Sequence, residues 1–236
     1  MLSTERGGTM LGLVTPMPYL GAVLLAVALG VALCVGARLK PGRWTLVAAR
    51  LIALVLLADA ISFVVTELWA GTWSPKTDLP FALCDIAILV AAAACWWQRP
   101  LLVELTYFWG LAGTLQAVVT PDLNAGFPHL VFFQYLLGHL GIVLAALYLV
   151  IGLRIAPRPG SVMTTFAITL AYTAFVGVVD ALVGANYMFL RRPPGNWTLL
   201  RVLGPWPWYI ASAAGVALAL LVTLDLPFWL GRRRHG

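Results

Sequence analysis

The sequence predicts an all-α fold, a polytopic membrane protein built as a seven-transmembrane-helix bundle. Of its 236 residues, 61% are hydrophobic and only 10% are charged, and the mean hydropathy is +0.93. A water-soluble chain of this length needs far more polar surface. Seven apolar stretches fill most of the sequence, and each is close to the roughly 20 residues that a helix needs to cross a bilayer.

The connections between these stretches are short, so we expect a single integral membrane domain over residues 1–236. Backbone polar groups must be satisfied inside lipid, and the stretches lack the alternation of barrel strands, so each is predicted to be a helix. The predicted spans are Pro18–Gly36, Leu46–Ala70, Leu79–Trp97, Leu101–Val119, Leu130–Leu153, Val162–Gly184 and Trp206–Leu230.

The first span is predicted to be a retained helix. The segment before it carries both Glu5 and Arg6, unlike the basic leader of a signal peptide. The second span is long and contains Asp59 near its middle and Glu67 near its end. A carboxylate inside a membrane span is costly and is therefore a pointer to function.

The next three spans carry further polar residues toward the same end of the predicted bundle. The third span shows Cys84 and Asp85 shortly after it begins, and the fourth places Gln116 near its end. The fifth contains Gln134 and His139. Because neighbouring spans run in opposite directions, these positions fall in the same half of the bundle.

The sixth span reaches Asp180 near its end and is followed by Asn186 and Tyr187. Arg191 and Arg192 come next, beside an aromatic and apolar patch. Arginine is well suited to bind phosphate, so we expect these residues to contact a lipid headgroup. The competing interpretation is a pair of arginines that anchors the sixth span at the interface. The seventh span begins in an aromatic belt.

Basic residues favour one face of the predicted bundle, and basic loops stay in the cytoplasm. We therefore predict an extracytoplasmic N-terminus and a cytoplasmic C-terminus in a multi-pass membrane protein. The net charge of +6 then reflects topology and anionic lipid, and we expect no nucleic acid as a partner. The cytoplasmic set is Arg38, Lys40, Arg43, Arg99, Arg154, Arg158, Arg232, Arg233 and Arg234, against Arg6, Lys76, Arg191, Arg192 and Arg201 on the other face.

Together, the intramembrane polar residues predict a cavity that opens toward the extracytoplasmic leaflet. The alternative is a set of interhelical hydrogen bonds, each worth about 0.6 kcal/mol in a membrane bundle. The residues concerned are Glu67, Cys84, Asp85, Gln116, Gln134, His139 and Asp180.

Several chemistries do not fit these residue types. A retinal Schiff base needs a lysine in the last span, but Lys40 and Lys76 both lie in loops. A bis-histidine haem needs two histidines at one depth, and His129 and His139 share a single span at different depths. His139 with Asp85 and Asp180 supplies enough ligand atoms for zinc, but no ligand spacing supports such a site. We expect no metal and no cofactor.

Nucleophilic catalysis fits the polar residues of the predicted spans better than retinal, haem or zinc chemistry does. Cys84 is a candidate nucleophile if His139 lies within reach to take its proton, and Asp180 or Asp85 is a candidate to orient the imidazole. The competing interpretation makes Cys84 a small core residue and His139 a histidine bonded to a backbone carbonyl. We expect Glu67, Gln116, Gln134, Asn186, Tyr187, Arg191 and Arg192 to contact the substrate.

The stretch Leu79-Pro80-Phe81-Ala82-Leu83-Cys84-Asp85-Ile86-Ala87 resembles the signature of the YwaF-like bacterial integral membrane family. The segment around His139 and the stretch Asn186–Leu190 are similar to that family as well. This resemblance implies a multi-pass protein of the bacterial inner membrane. At a greater distance the chain resembles the eukaryotic transmembrane-protein-164 acyltransferases, which are implicated in moving acyl chains onto lyso ether phospholipids. That resemblance implies essential roles for Cys84 and His139.

The leading hypothesis is therefore a membrane-embedded acyltransferase or lipid hydrolase whose partner is a phospholipid or lysophospholipid. A small-solute or proton-coupled transporter is the first alternative, with Asp59, Glu67, Asp85 and Asp180 along an ion path. The second alternative is a noncatalytic lipid-binding or assembly protein, in which the acidic residues only hold helices together.

Overall fold

The computed structural model describes residues 16–121, 123, 126–193 and 199–235. All regular structure in those ranges is helical, which confirms the predicted all-α class. Among the residues discussed above, Glu5 and Arg6 lie outside the described ranges, as do the side chains of Arg201 and Arg234. The helices are α1 (Pro16–Leu39), α2 (Arg43–Ala70), α3 (Leu83–Trp97), α4 (Pro100–Val119), α5 (Leu130–Gly152), α6 (Ser161–Val183), α7 (Leu199–Val202) and α8 (Trp208–His235).

Six of these helices are long and apolar enough to cross a membrane, namely α1, α2, α4, α5, α6 and α8. The chain is thus a multi-pass membrane protein. The predicted third span is shorter than expected, because α3 has only 15 residues, about 22 Å at 1.5 Å per residue. A bilayer core is about 30 Å thick. The predicted count of seven spans is therefore not confirmed, and the orientation of the termini stays a prediction.

The turn at residues 79–82 explains why α3 begins late. The carboxylate Oδ2 of Asp85 accepts a hydrogen bond from the backbone N–H of Ala82 at 3.0 Å, which caps the new helix. The preceding helix ends at Gly71, whose φ of 66° lies in the left-handed region that favours glycine. The segment between α2 and α3 therefore folds as a loop at one end of the bundle.

Helix α3 forms the centre of the bundle and packs against α2, α4 and α5. Its buried face consists largely of small side chains, which allow helix backbones to approach closely in a membrane. Helix α4 widens into a π-helical segment over Trp109–Thr114, where Gly110 contacts α5. The small buried residues of α3 are Ala87, Ala91, Ala92, Ala94 and Cys95.

The two ends of the bundle differ in chemistry. At the end that we call the basic end, Arg158 pairs with the buried Glu104 at 2.7 Å, and Arg232 pairs with Asp225 at 2.7 Å. The Nε of Arg38 donates to the carbonyl of Ile151 at 2.8 Å in the same region. The opposite end, which we call the loop end, carries segments 72–82 and 184–193. The sequence predicts that the loop end is extracytoplasmic.

Candidate functional site

A cavity of about 240 Å³ lies among α2, α3 and α5 on the side of the loop end. It reaches from the loop between α2 and α3 to the middle of the helices, and we call it the thiol cavity. Because it brings together side chains that are far apart in sequence, it is the candidate functional site. Its polar lining residues are Asp59, Asp78, Cys84, Asp85, Gln134 and His139.

Cys84 lies in the first turn of α3 and is half-buried. Its thiol neighbours the hydroxyl of Thr114, the last residue of the π-helical segment of α4. The other cysteines, Cys34 and Cys95, are buried and lie outside the thiol cavity. The capped start of α3 therefore presents one thiol, and only that thiol, to this cavity.

His139 lines the same cavity from α5. Its Nδ1 lies 2.8 Å from the carbonyl oxygen of Tyr135, one turn earlier in the helix. A carbonyl oxygen only accepts, so Nδ1 carries the proton and Nε2 of the neutral ring keeps its lone pair. The Tyr135 ring stacks on the imidazole at a centroid distance of 4.1 Å, and its hydroxyl donates to the carbonyl of Ala117 at 2.7 Å. The imidazole is thus held in one orientation with a basic nitrogen available.

Asp85 is close to the thiol, but its visible role is structural. One carboxylate oxygen accepts the N–H of Ala82, which fixes the start of α3. His139 donates the hydrogen bond that orients its ring to the Tyr135 carbonyl, and within the described part of the chain Asp85 makes no hydrogen bond to the imidazole. The hydrogen bond that fixes the His139 ring therefore involves a backbone carbonyl and not a carboxylate.

Asp59 was not among the candidate catalytic residues, and the structure places it in the thiol cavity. The residue is 8% exposed, and its Oδ1 has no hydrogen-bond partner among the described residues. Its Oδ2 lies against Gly138, where an added Cβ would come within 3.0 Å of it. The signal in the sequence was a carboxylate in the middle of an apolar span.

Gln134 provides a second unpaired acceptor in the cavity. Its Nε2 donates to the hydroxyl oxygens of Ser62 and Thr66 at 3.0 and 3.2 Å. Its Oε1 is buried with no partner among the described residues. Buried acceptors without partners are rare because they lose their hydration without compensation. Asp59 and Gln134 are therefore two polar side chains in the wall of the thiol cavity whose hydrogen bonding is incomplete among the described residues.

The predicted cluster divides, because Asp180 does not line the thiol cavity. Helix α6 packs chiefly against α4 and α8, whereas His139 lies on α5. The Oδ1 of Asp180 accepts the backbone N–H of Tyr187 at 2.8 Å and so fixes the chain after α6. The expectation that Asp180 orients His139 has no support in this arrangement.

Asn186 and Tyr187 hold the two segments of the loop end in place. Asn186 Oδ1 accepts the N–H groups of Arg191 and Arg192 at 2.9 and 3.1 Å. The Tyr187 hydroxyl accepts the N–H of Leu79 at 2.8 Å and donates to the carbonyl of Pro75 at 3.0 Å. Burial raises the pKa of the Tyr187 phenol, which keeps the donor proton in place at neutral pH.

The remaining predicted substrate contacts have separate positions. Arg191 directs Nη1 at the carbonyl oxygens of Asp180 and Ala185, both at 3.4 Å. Glu67 accepts from the hydroxyl of Thr72 at 2.6 Å, and Gln116 is exposed on α4. Neither Glu67 nor Gln116 lines the thiol cavity, and Arg192 lines a second cavity at the loop end.

Comparison with known proteins gives a family and one relative. The model of the TMEM164 family matches residues 6–225. An uncharacterized protein of Treponema pallidum (strain Nichols) is 27% identical over 179 residues, which are 75% of this chain and 72% of that protein. No solved structure matches the chain.

Proposed function

The chain belongs to the TMEM164 family, and from that membership and the thiol cavity we propose a membrane-embedded lipid acyltransferase or lipid hydrolase. Family membership is compatible with a lipid-related role in the membrane. The observation that carries the chemistry is that Cys84 and His139 line one cavity. A nucleophile and a base in one site, with the base oriented by a third group, is the arrangement used in acyl transfer through a covalent intermediate.

The proposed reaction has two halves. The Nε2 of His139 takes the thiol proton as Cys84 Sγ attacks the carbonyl carbon of a lipid ester. The ester C–O bond then breaks, and the departing alcohol takes the proton back from the imidazolium. The acyl group is left on Cys84 as a thioester.

In the second half, His139 takes a proton from the hydroxyl of an acceptor. The acceptor oxygen attacks the thioester carbon, the C–S bond breaks, and the thiol regains its proton from the imidazolium. A lysophospholipid acceptor gives acyl transfer, and water gives hydrolysis. Asp59 and Gln134 also line the cavity and give its wall a polar character, which supports a hydroxyl-bearing acceptor.

The direct test is to trap the thioester. The purified full-length protein is incubated with phospholipids that carry an alkyne-tagged acyl chain, and the label is located by mass spectrometry. We expect label on Cys84 that neutral hydroxylamine releases. Cys34→Ser and Cys95→Ser serve as matched controls, because both residues lie outside the thiol cavity and both variants should retain the label.

Turnover measurements complete the test. We expect Cys84→Ala to abolish lipid turnover, and His139→Asn to lower it by about 100- to 10,000-fold, the usual contribution of a general base. The proposal is wrong if Cys84→Ala and His139→Ala proteins turn over lipid as fast as the parent.

A proton-coupled transporter is the second candidate, and Asp59 is the observation in its favour. A buried carboxylate with an unpaired oxygen in the middle of a bundle is typical of proton paths. In proteoliposomes, a transporter moves solute in a way that depends on Asp59 and not on Cys84. An acyltransferase or hydrolase instead turns over lipid in a way that depends on Cys84.

A further inference from the structure

Two cations from separate segments of the loop end line a second cavity of about 430 Å³. Lys76 comes from the loop between α2 and α3, and Arg192 comes from the segment after α6. Neither the ammonium of Lys76 nor the guanidinium of Arg192 has an ion pair or hydrogen bond within the described residues. We call this cavity the rim cavity.

The walls of the rim cavity are fixed by specific contacts. The side chain of Asn186 holds the backbone of Arg192 through two hydrogen bonds. Asn186 Oδ1 accepts the N–H of Arg192, and Asn186 Nδ2 donates to the Arg192 carbonyl at 3.0 Å. On the opposite wall, Cε of Lys76 lies 3.9 Å from the position that a Cβ on Gly184 would take. Tyr187 ties the two segments together through Leu79 and Pro75. The two cations therefore face one space from anchored backbone.

We propose that Lys76 and Arg192 together form an oxyanion site that binds a phosphate group at the loop end. The rim cavity offers an ammonium and a guanidinium, which are the groups that bind phosphate in proteins. Arg191 is not part of the site, since its guanidinium is directed at the carbonyls of Asp180 and Ala185.

The charges that line the two cavities differ in sign, and this difference supports a phosphate site in the rim cavity. Its lining includes the carboxylates of Asp59, Asp78 and Asp85 and no lysine or arginine, so a phosphate is repelled from it. The same loop lines both cavities, with Lys76 on one and Asp78 on the other. The Cα atoms of residues 76 and 78 are separated by at most about 7 Å. The rim cavity and the thiol cavity therefore share the loop between α2 and α3 as a common wall.

The identification of the phosphate as that of a lipid headgroup rests on the proposed function. The oxyanion site itself does not, since inorganic phosphate has the same chemistry. A binding measurement that does not involve lipid turnover therefore tests the oxyanion site separately from the proposed function. The chain has only two lysines, Lys40 and Lys76, so acylation of lysine amines reports on the rim cavity with an internal control at the other end of the bundle.

The full-length protein in a maltoside detergent is treated with an amine-acylating reagent, and the labelling rate of each lysine is measured by mass spectrometry. The probes are dihexanoylphosphatidylglycerol and inorganic phosphate. Dihexanoylglycerol and sodium chloride at equal ionic strength are the phosphate-free controls. We expect a phosphate-bearing probe to slow the labelling of Lys76 several-fold and to leave Lys40 unchanged.

Arg192→Gln removes one of the two cations. It should raise the probe concentration for half-protection about tenfold or more, the usual effect of losing a charge-assisted hydrogen bond. Arg191→Gln is the matched neighbour and should keep the protection of Lys76. An unchanged labelling rate of Lys40 in each variant shows that the reagent reacts equally in all samples, and an unchanged unfolding temperature in detergent shows that the bundle is intact.

Protection by the lipid alone identifies a headgroup site, and protection by inorganic phosphate alone identifies a free-phosphate site. Protection by both identifies a site for the phosphate group itself. The proposal is overturned if neither probe protects Lys76, or if protection is undiminished in Arg192→Gln. Cys84→Ala should retain the protection, so a failure of the thiol chemistry leaves this result unaffected.

Discussion

Gly138 and Asp59 contact each other across the interface of α5 and α2, in the wall of the thiol cavity. A Cβ on residue 138 would lie 3.0 Å from Oδ2 of Asp59 and 3.5 Å from Cδ1 of Ile88. The absence of a side chain on Gly138 therefore lets a carboxylate reach the cavity from the middle of α2. The position of the unpaired Asp59 oxygen depends on this close approach.

We predict that Gly138→Ala displaces the Asp59 carboxylate. Overpacking of this kind costs about 1–3 kcal/mol, and lipid turnover should fall with it. Thermal unfolding in detergent and turnover per folded molecule measure the two effects. Gly215→Ala is the control, because a Cβ there meets nothing within 4 Å, so stability should stay constant or rise slightly. Equal behaviour of the two variants would contradict the prediction.

Asp59→Asn should separate function from stability. The substitution removes a buried charge whose Oδ1 has no partner among the described residues, so the unfolding temperature should stay the same or rise. Turnover should fall if the carboxylate contacts the acceptor. Asp225→Asn is the contrasting variant, since Asp225 pairs with Arg232 at the basic end, and it should lose stability while turnover per folded molecule is unchanged. A fully active Asp59→Asn protein would remove Asp59 from the site.

The ion pair of Glu104 and Arg158 should stabilise the basic end. The Glu104 side chain is buried, with Glu104 1% exposed, and its carboxylate accepts hydrogen bonds from the Nε, Nη2 and backbone N–H groups of Arg158. Arg158→Ala leaves that carboxylate buried without its cation, so the unfolding temperature should fall more than in Arg43→Ala, which alters an exposed residue. The double variant with Glu104→Gln should recover part of the loss. A double variant no more stable than Arg158→Ala alone would contradict this explanation.

Tyr187→Phe should loosen the loop end. The substitution removes the hydroxyl that joins Leu79 and Pro75 and costs about 1–3 kcal/mol for the unpaired N–H. Proteolysis of the segment 72–82 in detergent should become faster. Tyr107→Phe is the control, because its hydroxyl donates to Leu224 on another part of the bundle. Equal cleavage rates in the two variants would show that the Tyr187 bridge does not hold the loop.

The predicted orientation has a direct test in intact cells. A membrane-impermeant amine reagent should label Lys76, which lies at the loop end, and should label Lys40 only after the cells are permeabilised. Labelling of Lys40 alone would reverse the orientation and place the thiol cavity on the cytoplasmic side.

The sequence determined that this is a helical membrane protein, and it identified most of the polar residues that line the candidate site. Apolar runs of membrane length fix helices, because lipid offers no other partner for backbone polar groups. Polar residues within those runs are costly, so Cys84, Asp85, Gln134 and His139 stood out without any knowledge of their contacts. The resemblance to the transmembrane-protein-164 proteins was likewise visible in the sequence, and the family match confirms it. The more specific resemblance of Leu79–Ala87 to the YwaF-like family is not confirmed.

Only the tertiary structure decided which of these residues share a space. Apolarity sets the length of a helix but not its rotation or its neighbours. Asp180 therefore belongs with Tyr187 and not with His139, because α6 packs chiefly on α4 and α8. A bond from His139 to a backbone carbonyl was one of the two interpretations of the sequence, and the structure shows that bond, to the Tyr135 carbonyl one turn earlier. Packing likewise brought Asp59 against Gly138 and placed Lys76 and Arg192 on the wall of one cavity.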